Sequence, residues 1–101
     1  MKDTTTAHTI LSQLGGGRFA AMTGSRNFVS DINSLRMKLA RNQAGAQYLE
    51  ITLTPMDLYD MTFSRINPKT AEVITLAEHN GIYNDQLQLI FTKVTGLYTH
   101  L

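Results

Sequence analysis

The chain of 101 residues has no cysteine, no tryptophan, only two prolines and no long apolar run. Without cysteine there is no disulfide framework and no thiolate for metal binding or nucleophilic attack. Small secreted domains commonly need disulfide staples, so their absence points to a reducing cytoplasm. No stretch approaches the roughly 18 apolar residues of a membrane-spanning helix, and the polar start MKDTTT carries no signal peptide, so no membrane contact is expected. Charged residues make up 17% and hydrophobic residues 43%, the balance of a folded protein. The length suits one domain over residues 1–101, with a single modest core.

The net charge of +1 selects no partner, but it is unevenly spread. Arg18, Arg26, Arg36, Lys38 and Arg41 face Asp31 alone, which leaves residues 18–41 at +4. From residue 51 onward, Arg65, Lys69 and Lys93 stand against Asp57, Asp60, Glu72, Glu78 and Asp85, a balance of −2. A basic first half beside a mildly acidic second half offers a polar face to an anionic partner.

Spacing assigns the elements. Ala7, Ile10, Leu11 and Leu14 form one helical stripe, so residues 6–14 read as a helix, capped by Thr4, Thr5 or Thr6 and stopped by Gly15. Residues 19–23 read as a strand and residues 24–27 as a turn; Phe28 and Val29 either resume the strand or open a loop. Leu35, Met37 and Leu39, then Leu49, Ile51 and Leu53, then Tyr59, Met61 and Phe63 alternate with polar residues, the mark of strands buried on one side. Setting Leu39 opposite Leu49 predicts Met37 opposite Ile51, Leu35 opposite Leu53 and a favourable Lys38–Glu50 pair. Residues 70–78 read as a last strand on their β-branched residues, followed by a turn at His79-Asn80-Gly81. Leu87, Ile90, Phe91 and Val94 mark a closing helix, capped by Asn84 or Asp85 and stopped by Gly96, with Leu97 and Tyr98 folding back. The prediction is an α+β fold: an antiparallel meander of about five strands with an N-terminal and a C-terminal helix packed on one face.

Gly15-Gly16-Gly17-Arg18-Phe19-Ala20 matches the relaxed dinucleotide pattern G-x-G-x-x-A. That motif works only between a strand and a helix, and the expected order here is helix, glycines, strand, which places the glycines at the wrong end of a helix dipole. His8, His79 and His100 lack metal-ligand spacing, and no G-x-S-x-G elbow is present. No cofactor, no metal and no enzymatic activity is therefore expected. The surfaces that remain are the wet sheet face, with Arg36, Lys38 and Tyr48, and the tip holding Arg18, Arg26 and Asn27; Arg41 completes the basic region. A single clear aromatic among Glu50 and Asp60 is a weak signal for single-stranded RNA.

Three blocks, TILSQLGGGRFAAMTGSRNF, ITLTPMDLYDMTFSRI and IYNDQLQLIFTKVTGLYTHL, resemble a family of small uncharacterised proteins encoded by bacteriophages, plasmids and other bacterial mobile elements. The resemblance covers most of the chain and implies a bacterial, intracellular setting; it carries over no site residues. Together with the lack of a catalytic motif, the resemblance implies a non-enzymatic accessory protein that binds a host protein or nucleoprotein, as a counter-defence inhibitor of the anti-CRISPR kind would. The alternative is direct DNA or RNA binding through the basic residues 18–41. The candidate partner-binding residues are Arg18, Arg26, Asn27, Arg36, Lys38, Arg41 and Tyr48, on a monomer or on a homodimer joined through an open sheet edge.

Overall fold

The structure, a computed structural model, describes residues 5–97. Helix α1 (Thr5–Leu14) buries Ala7, Ile10 and Leu14 along the expected stripe. It ends at Gly15, whose φ of +122° only glycine adopts without strain, and whose N–H donates to the carbonyls of Leu11 and Ser12. The expected Thr4 cap and the fold-back of Tyr98 lie outside the described residues.

The next segment departs from the expected strand at residues 19–23. Gly16–Thr23 is a second helix, α2, and it buries Phe19 and Thr23. The residues permit a helix, since Phe19 and Thr23 stand four apart on one face and Ala20, Ala21 and Met22 between them are good helix formers, and the packing of Phe19 on Phe91 selects it. Gly24 is then the helix stop and not a hairpin turn. It takes φ +70° and donates its N–H to the Ala20 carbonyl at 2.9 Å. The strand that opens the sheet is instead β1 (Arg26–Ser30), which takes in Arg26 and Asn27 of the expected turn together with Phe28 and Val29.

Four more strands follow: β2 (Ser34–Lys38), β3 (Tyr48–Leu53), β4 (Tyr59–Ile66) and β5 (Val73–Ile82). They form one antiparallel sheet in the order β1-β2-β3-β4-β5, the predicted meander. The β2–β3 register differs from the expected one by two residues. Met37 pairs with Leu49, Leu35 with Ile51, Arg36 with Glu50 and Lys38 with Tyr48. A two-residue shift leaves every side chain on its face, so hydrophobic alternation cannot distinguish the registers. The loop decides: the Leu39 N–H donates to the Gln47 carbonyl at 2.8 Å, and the Asn42 side-chain amide donates to the carbonyls of Ala40 and Ala46.

His79-Asn80-Gly81 does not reverse the chain. It lies inside β5, where the register with β4 shifts between Tyr59 and Met61. Gly81, at φ +67°, serves a bulge, and its N–H donates to Asp60 Oδ1 at 3.1 Å. Past β5, a 3-10 turn (Asn84–Gln86) leads into α3 (Leu87–Thr95). Neither Asn84 nor Asp85 makes a capping bond; the Gln86 N–H donates to the Tyr83 carbonyl, and that local bond starts the turn. Gly96 ends α3 in the left-handed conformation, and Leu97 packs back against the core as expected.

All three helices are eight to ten residues long, too short to persist alone in water. Packing holds them. Phe19 of α2 meets Phe91 of α3 edge-on at a centroid distance of 5.0 Å, and Phe63 of β4 lies 6.5 Å from Phe91. All three rings are fully buried. The Gln88 side chain of α3 donates to the Leu14 carbonyl at 2.8 Å and so satisfies a free end of α1. Replacing Phe91 with Ala is expected to cost about 3–5 kcal/mol. Leu89→Ala on the exposed side of the same helix should stay within about 0.5 kcal/mol. Urea unfolding of the two variants measures the contrast.

Candidate functional site

The helices cover one side of the sheet only. Residues paired across antiparallel strands share a face, so the register sorts the side chains. Leu35, Met37, Leu49, Ile51, Met61 and Phe63 point to the helices and are buried. The other face carries three cross-strand rows. One runs Arg26, Lys38, Tyr48, Ser64, Thr75; the next runs Val29, Arg36, Glu50, Thr62, Glu78; the third runs Ser34, Thr52, Asp60. Ile66 and Val73 pair beyond the first row. Arg36, Tyr48, Glu50, Thr62, Ser64, Ile66, Val73 and Thr75 line a shallow concavity of about 440 Å³ on this face.

The electrostatics of the face follow its strands. Cations stand on β1 and β2, as Arg26, Arg36 and Lys38; Glu50, Asp60 and Glu78 stand on β3, β4 and β5. Arg36 Nε lies 3.6 Å from Glu50 Oε2, with the two side chains 56% and 46% exposed. A pair so well hydrated orients its members more than it stabilises the fold. Arg26 and Lys38 have no acidic partner among the described residues.

The structure brings together four of the candidate residues: Arg26, Arg36, Lys38 and Tyr48. It separates the other three. Asn27 occupies a bulge of β1 at φ +56°, a left-handed position that Asn tolerates better than most residues, and so has a backbone role. Arg18 is exposed on α2, in the helical layer on the opposite side of the sheet. Arg41 is exposed in the loop after β2. Residues 18–41 therefore do not form one basic surface.

The face also holds Val29, Ile66, Val73 and Thr75, which sequence reasoning did not single out. Val29 and Val73 are 49% and 68% exposed. The alternation that would have placed them is broken, in β1 by the bulge at Asn27 and in β5 by an extra residue, Leu76, between the partners of Phe63 and Ser64.

The glycine run is also placed differently from expectation. Because α2 begins at Gly16, the glycines lie at a helix N-terminus and not before a strand. The dinucleotide cradle is still not formed, because the glycines follow the C-terminus of α1 where that motif needs a strand. A second shallow recess lies along α1, lined by Thr5, His8, Thr9, Ser12 and Gln13. Among the described residues no three His, Asp or Glu side chains converge on a common point, and no helix is long and apolar enough to cross a membrane.

Tyr59, on the core side, is a titrating group whose surroundings perturb it. Burial of the Tyr59 phenol raises its pKa above the usual 10.0; the nearby Asp57 charge adds to the rise and the Gln13 side chain opposes it. The neutral phenol is thus favoured in the folded state. Tyr59 contributes stability that is complete below the unfolded-state pKa and is lost as the pH rises through the higher folded-state value. Urea unfolding at several pH values from 8 upward should show wild-type stability falling above about pH 10. Tyr59→Phe should fall less steeply over the same range.

Comparison of the chain with protein-family models, with curated protein sequences and with solved structures returned no match.

Proposed function

We propose that this chain is a non-enzymatic accessory protein of a phage, plasmid or other mobile element. In this reading it acts in the bacterial cytoplasm by binding a host protein or nucleoprotein, as a counter-defence inhibitor would. The observation that carries the binding part is the uncovered sheet face. It is broad and shallow, and it mixes hydroxyls, three cations, three acids and exposed Val29 and Val73. That mixture suits a protein surface, where polar and apolar patches alternate and area exceeds depth. The resemblance of the three sequence blocks to proteins of mobile elements supports the setting.

A second reading, direct binding of DNA or RNA, draws on one specific feature: Arg26, Lys38 and Tyr48 lie in a single cross-strand row. Two cations beside an aromatic can hold a phosphate and a stacked base. Glu50, Asp60 and Glu78 on the following strands work against a longer nucleic-acid track.

Affinity capture from a bacterial lysate, with and without nuclease, distinguishes these readings. The protein-binding reading expects a protein recovered after nuclease treatment, with recovery falling at least tenfold for Ser64→Arg, which places a bulky cation in the middle of the face. Recovery unchanged in that variant, or no protein recovered at all, contradicts it. The nucleic-acid reading expects recovery only without nuclease. It also expects a log–log salt slope of about −2, for one phosphate of a single strand at each of Arg26, Arg36 and Lys38.

A further inference from the structure

Resting on the reading of the sheet face as a protein-docking surface, we propose that its β1–β2 side receives an extended acidic segment lying on the face, along the direction of these two strands. In that segment an acidic and an apolar residue stand two positions apart.

The charge pattern is the first argument. Arg26 and Lys38 face each other across β1 and β2 with no acidic partner among the described residues, and Arg36, one row on, is only half-engaged by Glu50. The second argument is Val29, which sits in the same row as Arg36 and is half-exposed. A carboxylate beside Arg26 and Lys38 would complete the charge, and an aliphatic side chain beside Val29 would remove apolar surface from water. The third argument is spacing. The two rows are two residues apart along β2, about 7 Å, which is the repeat of same-side residues in any extended chain.

A nucleic acid matches this strip less well. Two adjacent strands lie only about 5 Å apart, so the cationic zone is about as wide as one extended peptide. Beyond it the strand rows turn acidic at Glu50, Asp60 and Glu78. Val29 offers nothing to a phosphate, and Tyr48 alone provides a stacking platform in these rows.

The test is a low-salt NMR titration of the isotope-labelled full chain with a capped peptide of three Asp-Thr-Val-Thr repeats. Two controls replace every Asp by Asn or every Val by Ser. The expected result is a set of amide shifts centred on Arg26, Val29, Arg36 and Lys38. Affinity should fall at least tenfold for each control peptide, and likewise for Arg26→Gln and Lys38→Gln variants whose spectra remain dispersed. Four results overturn the proposal: no shifts, shifts centred elsewhere, equal affinity for the Asn peptide, or tighter binding of a dT12 oligonucleotide at the same residues. If the peptides fail while Ser64→Arg still abolishes capture from lysate, the acidic-segment proposal falls and the docking face stands. If Ser64→Arg leaves capture intact, the docking face itself is wrong.

Discussion

The contact between Phe19, Phe91 and Phe63 is the interaction on which the rest of the structure depends. It joins α2, α3 and β4, three elements that meet nowhere near each other in sequence. None of the helices is long enough to form unaided; α2 and α3 exist because their apolar stripes find this cluster, and α1 buries Ala7, Ile10 and Leu14 in the same core. The cluster also fixes which side of the sheet is covered. Phe63 alternates with Thr62 and Ser64, so burying its ring turns both hydroxyls to the other side. One packing choice therefore builds the core and creates the open face.

An uncovered sheet face has to be compatible with water, and its edges must not pair at random. The chain meets the first demand with hydroxyl and charged side chains in register across β2, β3 and β4. It meets the second with irregularity. β1 bulges at Asn27, and β5 carries an extra residue at Leu76 and a bulge at Gly81, so neither outer strand offers a long regular row of backbone donors and acceptors. What remains exposed and apolar on the face, Val29 and Val73, stands at its two margins. Surface of that kind is what a partner can cover.

Much of this was legible in the residues. Strict alternation at Leu35–Met37, Leu49–Ile51 and Met61–Phe63 marked the central strands and their faces, and the i, i+3, i+4, i+7 stripes marked α1 and α3. The failures share a cause: local signals with two readings that only tertiary packing separates. Residues 19–23 hold two bulky apolar residues, Phe19 and Met22, among small ones, which suits a short helix or a strand, and the Phe91 ring decides for the helix. Gly24 and Gly81 both promised turns, yet one ends a helix and the other serves a bulge, since each of the three uses needs only a positive φ. The Lys38–Glu50 pair was plausible by charge, but so was Arg36–Glu50, and the Asn42-closed loop chose the second. The site was legible in the same measure. Arg36, Lys38 and Tyr48 followed from alternation, whereas Arg26 joined them through the β1 pairing and Arg18 and Arg41 were drawn away by the helix and the loop.

The central claim is that one sheet face is sealed by helices and its opposite is open to solvent. Solvent paramagnetic relaxation of assigned methyl groups, with a soluble gadolinium chelate, tests it most directly. The account predicts strong relaxation at the methyls of Val29, Thr62, Val73 and Thr75 and protection at Leu35, Leu49, Ile51 and Met61, alternating residue by residue along β3 and β4. Thr62 and Thr75 protected to the same degree as Ile51 would contradict it, because the face would then be covered.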